Sequence, residues 1–196
     1  NNRNNAFVNM SSSNYTTQKK RQSRILILMS KIAVFLDRDG VINKKRNDYV
    51  KNISELEIFE YVPDAITLLK NNNFLIILIT NQSVINRGII SLNELNDIHK
   101  HLQDFLSTFG TSIDGIYFCP HTPNDNCDCR KPKPGLILKA GEEFDIDLKK
   151  SWFIGDSQTD MEAAKLANCN SLLVNGDYNL MYAAQEIIRI NNSNKK

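Results

Sequence analysis

The chain has no apolar run approaching the roughly 20 residues that a transmembrane helix needs, so a membrane span is not expected. It also has no massed charge. Its 24 Lys and Arg are interspersed with 22 Asp and Glu, leaving a formal net charge of +2. Without a basic stripe there is no electrostatic reason to expect nucleic acid as a partner. No internal repeat is visible, which argues against solenoid and propeller architectures. The apolar stretch 25–36 follows "KKRQSR" as a signal sequence would, but Lys31 interrupts it and no small-residue cleavage site follows. Without a secretory signal, its four cysteines are not expected to form a disulfide framework.

What is present is globular composition. With 41% hydrophobic residues in 196, the chain can bury one good core, and one main domain is expected. The first nine residues include five asparagines, and the polar character persists through Ser23 with no helical or strand period. Such a segment cannot bury enough apolar surface to order itself. Residues 1–30 therefore read as a disordered extension, with Met29 a candidate natural start, 31–190 as the folded domain and 191–196 as a polar tail.

From Lys31 onward, short β-rich runs alternate with amphipathic helical segments, the pattern of an α/β fold with a mainly parallel sheet. The expected strands are "IAVFLD" (32–37), "FLIILIT" (74–80), "GIYFCP" (115–120), "WFIGD" (152–156) and "SLLVN" (171–175). Pro63 suits a first helical turn. Ser91 and Glu94 suit a capping box, opening a helix whose Leu92, Leu95, Ile98, Leu102, Phe105 and Phe109 recur at helical spacing. Pro134 and Gly135 open another helix, "SQTDMEAAKLAN" begins one directly after Asp156, and a last one covers about 178–190. Asp37, Thr80 and Asp156 all fall at carboxyl ends of expected strands, the edge where open parallel sheets bind ligands.

Alternation along an extended backbone sends Asp37 and Asp39 to one side and Arg38 to the other. Two carboxylates brought together repel unless a cation intervenes. A hard divalent ion such as Mg²⁺ satisfies them, with Asp156 as a third oxygen ligand. On its own, "DRDG" reads equally well as a strand end followed by a turn. Thr80, Asn81 and Lys131 tilt the balance, because a hydroxyl, an amide and a cation can hold a phosphoryl group and neutralise its charge during transfer. Asp37 then serves as nucleophile and Asp39 as acid/base. A second metal is expected at Cys119, His121, Cys127 and Cys129 in "CPHTPNDNCDC". Three thiolates and an imidazole suit tetrahedral Zn²⁺ with no open position, hence a structural ion that positions the following Arg130 and Lys131. Cys169 reads as a packed thiol, and His99 and His101 as ordinary residues of the long helix.

Taken in order, "IAVFLDRDGV", "LIILITNQS", "CRKPKPG" and "WFIGDSQTD" resemble the haloacid dehalogenase superfamily of Mg²⁺-dependent phosphohydrolases, over the chain from Lys31 to about Val174. Within it the likeness is strongest to the heptose-bisphosphate and histidinol-phosphate phosphatases. The resemblance implies a three-layer Rossmann-like fold with no large cap domain and with a zinc-binding loop. It implies Asp37 as nucleophile and Mg²⁺ ligand, and Asp39 as acid/base that also binds the metal through its backbone carbonyl. Thr80 and Lys131 would steady the phosphoryl group, Arg130 would recognise substrate, Asp156 would complete the metal ligands and Asp160 would support them. The loop "NQSVINRG" makes Asn81, Gln82, Ser83 and Arg87 substrate-binding candidates, with Arg87 for a second phosphate. A flap formed by Arg46, Asn47, Asp48 and Tyr49 would close over the sugar. Val84 stands where the group usually has glycine, and Ser157 replaces a basic residue.

The expected function is cytoplasmic hydrolysis of a small phosphorylated metabolite, the C7 phosphate of a heptose 1,7-bisphosphate, by a monomer. Histidinol phosphate is the alternative substrate. A zinc-stabilised module that binds phosphometabolites without turnover is the alternative of another class.

Overall fold

The computed structural model describes residues 30–193. Residues 1–29 of the expected N-terminal extension and residues 194–196 of the polar tail lie outside the described residues. Five strands, β1 (Ile32–Leu36), β2 (Phe74–Asn81), β3 (Gly115–Cys119), β4 (Trp152–Gly155) and β5 (Asn170–Leu173), form one sheet in the order β3-β2-β1-β4-β5. All four pairings are parallel. The connections contain helices α1 (Val62–Asn71), α2 (Leu92–Ser107), α3 (Gly135–Phe144) and α4 (Gln158–Leu166), and α5 (Leu180–Ser193) follows the last strand.

Side chains alternate across the sheet and divide the core into two layers. Val34, Leu36, Ile76, Leu78 and Ile154 belong to one, with Leu69 of α1, Leu102 of α2 and Ala184 of α5. Ala33, Phe35, Ile77, Ile79 and Phe153 belong to the other, with Ile137 of α3 and Ala163 of α4. The near-continuous apolar strands are thus explained by cover on both faces, the three-layer α/β arrangement expected. Chain order reverses at the centre: β1 leads outward to β2 and β3, while β4 returns to its other side. The carboxyl ends of β1 and β4 therefore flank a crevice.

The helix boundaries follow local chemistry. Pro63 sits in the first turn of α1, and Ser91 and Glu94 form a reciprocal capping box on α2. The apolar stripe of α2 is narrower than its spacing suggested. Leu95, Ile98, Leu102 and Leu106 are buried, whereas Leu92 is half-exposed in the first turn. Phe109 lies beyond the helix end, exposed, against Phe105 with ring centroids 5.1 Å apart. Helix α5 runs to Ser193, three residues into the expected polar tail. Val84, which stands where the resembled group usually has glycine, is fully buried in the core, so the loop is anchored by an apolar side chain. No helix among the described residues is long and apolar enough to cross a membrane.

His99 is a buried polar exception on α2. Its ring lies 5.9 Å from that of Phe118, and Nε2 has no hydrogen-bond partner among the described residues. Burial, with the Arg38 charge adding to it, pushes its pKa from 6.5 down to about 3. The folded protein keeps this imidazole neutral, while the unfolded chain takes up a proton below 6.5, so stability falls as pH drops through that window. Replacing His99 by Met should remove this contribution. Urea unfolding between pH 6.5 and 4.5 should show a decline shallower by about 1.4 kcal/mol per pH unit; an unchanged slope would mean that His99 protonates within the fold.

Candidate active site

Asp37 follows directly on β1, where its N–H continues the ladder to Ile154 O at 3.0 Å. Its carboxylate is almost buried and accepts a hydrogen bond from Arg38 N at Oδ1, 2.7 Å away. Burial raises its pKa to about 6, against the pull of Lys131. Lys131, itself 3% exposed, places Nζ 2.9 Å from Asp37 Oδ1 and 2.7 Å from Asp160 Oδ1. Nζ also donates to Ile79 O at 2.9 Å. Although burial opposes its charge, Asp37 and Asp160 together raise its pKa, and the ammonium is retained.

The second aspartate is placed differently from the alternation argument. Arg38 does not turn away: its guanidinium closes back on the Asp39 carboxylate, with Nη2 3.0 Å from both oxygens. Asn43 Nδ2 and Gln82 Nε2 each donate to the same carboxylate at 3.0 Å. Burial would raise the Asp39 pKa, but Arg38 and these hydrogen bonds outweigh it and hold the group below its ordinary value. The backbone turns at Gly40, φ +91°, so the extended geometry needed to present both carboxylates together ends there. The carboxylates that converge are those of Asp37, Asp156 and Asp160, within 4.8 Å of one another.

Asp156 and Asp160 are set by the β4–α4 turn. Ser157 caps α4, and its N–H and hydroxyl donate to Asp160 Oδ2 at 3.1 and 2.6 Å. Asp160 is fully buried below Gly155, where an added Cβ would lie 2.3 Å from the Asp160 Cβ. Both Asp160 oxygens are thus engaged, Oδ1 by Lys131 and Oδ2 by Ser157. Asp156 is more open to a ligand: Oδ1 is buried with no hydrogen-bond partner, and Oδ2 meets Lys45 Nζ at 2.7 Å. At Gly40 an added Cβ would lie 2.2 Å from Asp156 Oδ2, so the glycine leaves room for this carboxylate.

These groups open into a cavity of about 270 Å³ lined also by Asp39, Lys45, Arg46, Tyr49, Thr80, Asn81 and Arg130. A larger open depression of about 860 Å³, beside Lys149, Lys165 and Cys169, contains no metal-ligating cluster among the described residues. Thr80 is buried one residue before the end of β2 and accepts from Gln82 Nε2 at 2.9 Å. Asn81 makes a reciprocal pair with the Lys131 backbone, donating to its O and accepting from its N, each at 3.1 Å.

Other expected contacts are redistributed. Gln82 and Ser83 are buried away from the cavity lining, Gln82 because it braces Asp39 and Thr80. Arg87 is exposed outside the cavity, with Nε 3.3 Å from Ser83 Oγ. The flap base pairs Lys44 N with Glu57 O and Phe59 N with Ile42 O, which aims Arg46 and Tyr49 at the cavity. Asn47 and Asp48 face elsewhere, Asp48 in ion pairs with Lys51 and Arg46. Lys45 was not foreseen. Its position beside a flap rich in Lys and Arg was the only available signal.

Downstream of β3, Cys119, His121, Cys127 and Cys129 converge without a disulfide. Their donor atoms lie 3.1 to 3.6 Å apart along five edges. A tetrahedron with Zn–S bonds of about 2.3 Å has edges of about 3.8 Å, so the set needs only a slight expansion to hold an ion. Burial pushes the Cys119 thiol up, while hydrogen bonds from Cys129 and Cys119 outweigh burial at Cys127 and lower it to about 7. Arg130 Nη1 donates to His121 O at 3.0 Å, tying the cluster to the cavity wall.

A family model described as HAD-hydrolase-like matches residues 128–186. The D-glycero-beta-D-manno-heptose-1,7-bisphosphate 7-phosphatase of Pseudomonas aeruginosa is 41% identical over 146 residues, covering 74% of this chain and 82% of the relative. The protein of the same name from Helicobacter pylori is 46% identical over 147 residues, covering 72% and 82%. Among solved structures, the D,D-heptose 1,7-bisphosphate phosphatase of B. bronchiseptica, complexed with magnesium and phosphate, superposes with a TM-score of 0.76 at 32% identity, covering 81% of this chain and 99% of that one. With such identity over more than four-fifths of its relatives' length, the chain belongs to the haloacid dehalogenase-like hydrolases, among the heptose-bisphosphate phosphatases.

Proposed function

We propose that this chain is a Mg²⁺-dependent phosphoric monoester hydrolase that removes the C7 phosphate from D-glycero-β-D-manno-heptose 1,7-bisphosphate through an aspartyl phosphate at Asp37. The observation that carries the reading is the convergence of Asp37, Asp156, Lys131, Thr80 and Arg130 in one cavity at the carboxyl edge of the sheet. The names of the relatives favour a heptose bisphosphate over histidinol phosphate.

The donor set suits Mg²⁺: carboxylate oxygens converge, and the buried Asp156 Oδ1 lacks another partner. Asp37, Asp156 and the backbone carbonyl of Asp39 would hold the ion, which would offset carboxylate repulsion and polarise a phosphoryl oxygen. The Asp39 side chain has a separate task. Thr80 Oγ1 and Lys131 Nζ position the phosphoryl group beside Asp37. An Asp37 oxygen forms a bond to phosphorus as the bond to the sugar oxygen breaks, and protonated Asp39 gives its proton to that oxygen. In the observed arrangement Arg38 favours ionised Asp39, so delivery of the proton requires Asp39 to loosen from Arg38. Ionised Asp39 then takes a proton from water attacking the aspartyl phosphate, releasing phosphate and regenerating Asp37. Arg130, Arg46 and Tyr49 face the substrate around the cavity, whereas Arg87 would have to move to reach a second phosphate. Zn²⁺ at the Cys/His cluster is proposed as a structural ion that orients Arg130 and Lys131.

Phosphate release from heptose 1,7-bisphosphate and from histidinol phosphate, measured side by side, tests the activity; faster turnover of histidinol phosphate would overturn the assigned substrate. Asp37→Asn should lower kcat at least about a thousandfold, as loss of a nucleophile does, with zinc content unchanged. Retained turnover would remove Asp37 from that role. Gly40→Ala should push Asp156 aside and cost about a hundredfold in activity; wild-type turnover would show that the turn accommodates a side chain. Elemental analysis should find about one zinc per chain by the four-ligand count. Chelation should lower Tm and raise KM through Arg130, and a zinc-free protein of unchanged Tm would defeat the structural assignment.

A further inference from the structure

Lys45 lies outside the expected flap residues, yet it makes the one ion pair between that loop and the carboxylate cluster among the described residues. Its Nζ lies 2.7 Å from Asp156 Oδ2, while 60% of its side chain remains exposed. Asp37 and Asp160 also bear on this ammonium, so all three carboxylates of the cluster favour it. The neighbouring lysine is occupied elsewhere: Lys44 Nζ pairs with Glu57 Oε2 at 2.7 Å, on the base of the flap. Two adjacent lysines thus have separate tasks. One ties the flap to its own stem, the other ties it to Asp156.

We propose that Lys45 and Mg²⁺ are exchangeable cations at Asp156: the lysine holds the carboxylate when no ion is bound, and metal binding releases the flap from it. The inference rests on the assignment of Asp156 as a Mg²⁺ ligand above. A divalent ion at Asp156 and an ammonium 2.7 Å from the same carboxylate repel one another, so each weakens the other's hold by linkage. The Lys45 stem extends through solvent rather than through the packed core, so it can move without a cavity forming. Asp156 already occupies the space that a Gly40 side chain would fill, with Oδ2 2.2 Å from where a Cβ would stand, and its Oδ1 is buried. The lysine, not the carboxylate, is the partner free to leave. Metal loading and flap position are consequently coupled: the flap that carries Arg46 and Tyr49 is held to the carboxylates before Mg²⁺ arrives and let go afterwards.

Titration calorimetry of Mg²⁺ into zinc-loaded protein without substrate, at fixed ionic strength, tests the exchange. Lys45→Met, which keeps the stem and removes the charge, should bind Mg²⁺ about fivefold more tightly than wild type, the scale of one partly exposed ion pair. Lys44→Met makes the same change of net charge next door and should leave Mg²⁺ affinity at the wild-type value. Equal affinities for Lys45→Met and wild type, or equal gains in both variants, would overturn the exchange while leaving the phosphatase reading intact. Absence of Mg²⁺ binding by all three proteins would overturn the metal assignment and the exchange together, whereas lack of turnover on heptose bisphosphate with the expected affinities would overturn only the substrate.

Discussion

The buried ammonium of Lys131 is the contact on which the site's arrangement depends. It bridges Asp37 after β1 and Asp160 in α4, and donates to a carbonyl of β2. No one of these groups is stable alone at this depth, because an unpaired charge removed from water costs several kcal/mol. Together they cross-link three segments distant in sequence. The cationic side chain comes from the segment directly after the Cys/His cluster, with Asn81 bonded to both its backbone N–H and its carbonyl. Zinc at that cluster would therefore act on phosphoryl transfer through position, without sharing in the chemistry.

The same economy governs the paired aspartates. Asp37 is shared between burial, which disfavours its charge, and Lys131, which favours it. Asp39 is surrounded by donors and held ionised. Two carboxylates two residues apart thus acquire opposite tendencies from their surroundings, in the sense opposite to an ionised nucleophile at Asp37 and a protonated acid at Asp39, so those roles would require the Arg38–Asp39 contact to loosen. The turn at Gly40 makes the observed arrangement possible, since it admits Asp156 against the backbone while turning Asp39 towards Arg38.

Much of this was legible in one dimension. Strand identity, the cover on both faces of the sheet, the polar residues at the carboxyl edge and the four clustered soft ligands all follow from local pattern, because periodicity and ligand type are properties of short segments. Besides the Lys45–Asp156 pair, three side-chain placements were not legible. The Arg38 guanidinium folds back where alternation sent it away, Gln82 braces Asp39 and Thr80 in place of facing the cavity, and Arg87 stays outside. Each depends on side-chain rotamers and on neighbours brought from other segments.

By itself, then, the sequence determined which chemistry was available: carboxylates, a hydroxyl and cations at the ends of buried parallel strands, and a thiolate–imidazole set beside them. Backbone hydrogen bonding and hydrophobic alternation suffice for that, since both act over a few residues. Only the tertiary structure decided the pairings, with Asp160 rather than Asp39 joining the carboxylate cluster and Lys45 reaching Asp156 across 111 positions of chain. Those choices arise where a buried charge must find an opposite charge within about 4 Å, and proximity of that kind exists only once the chain has folded.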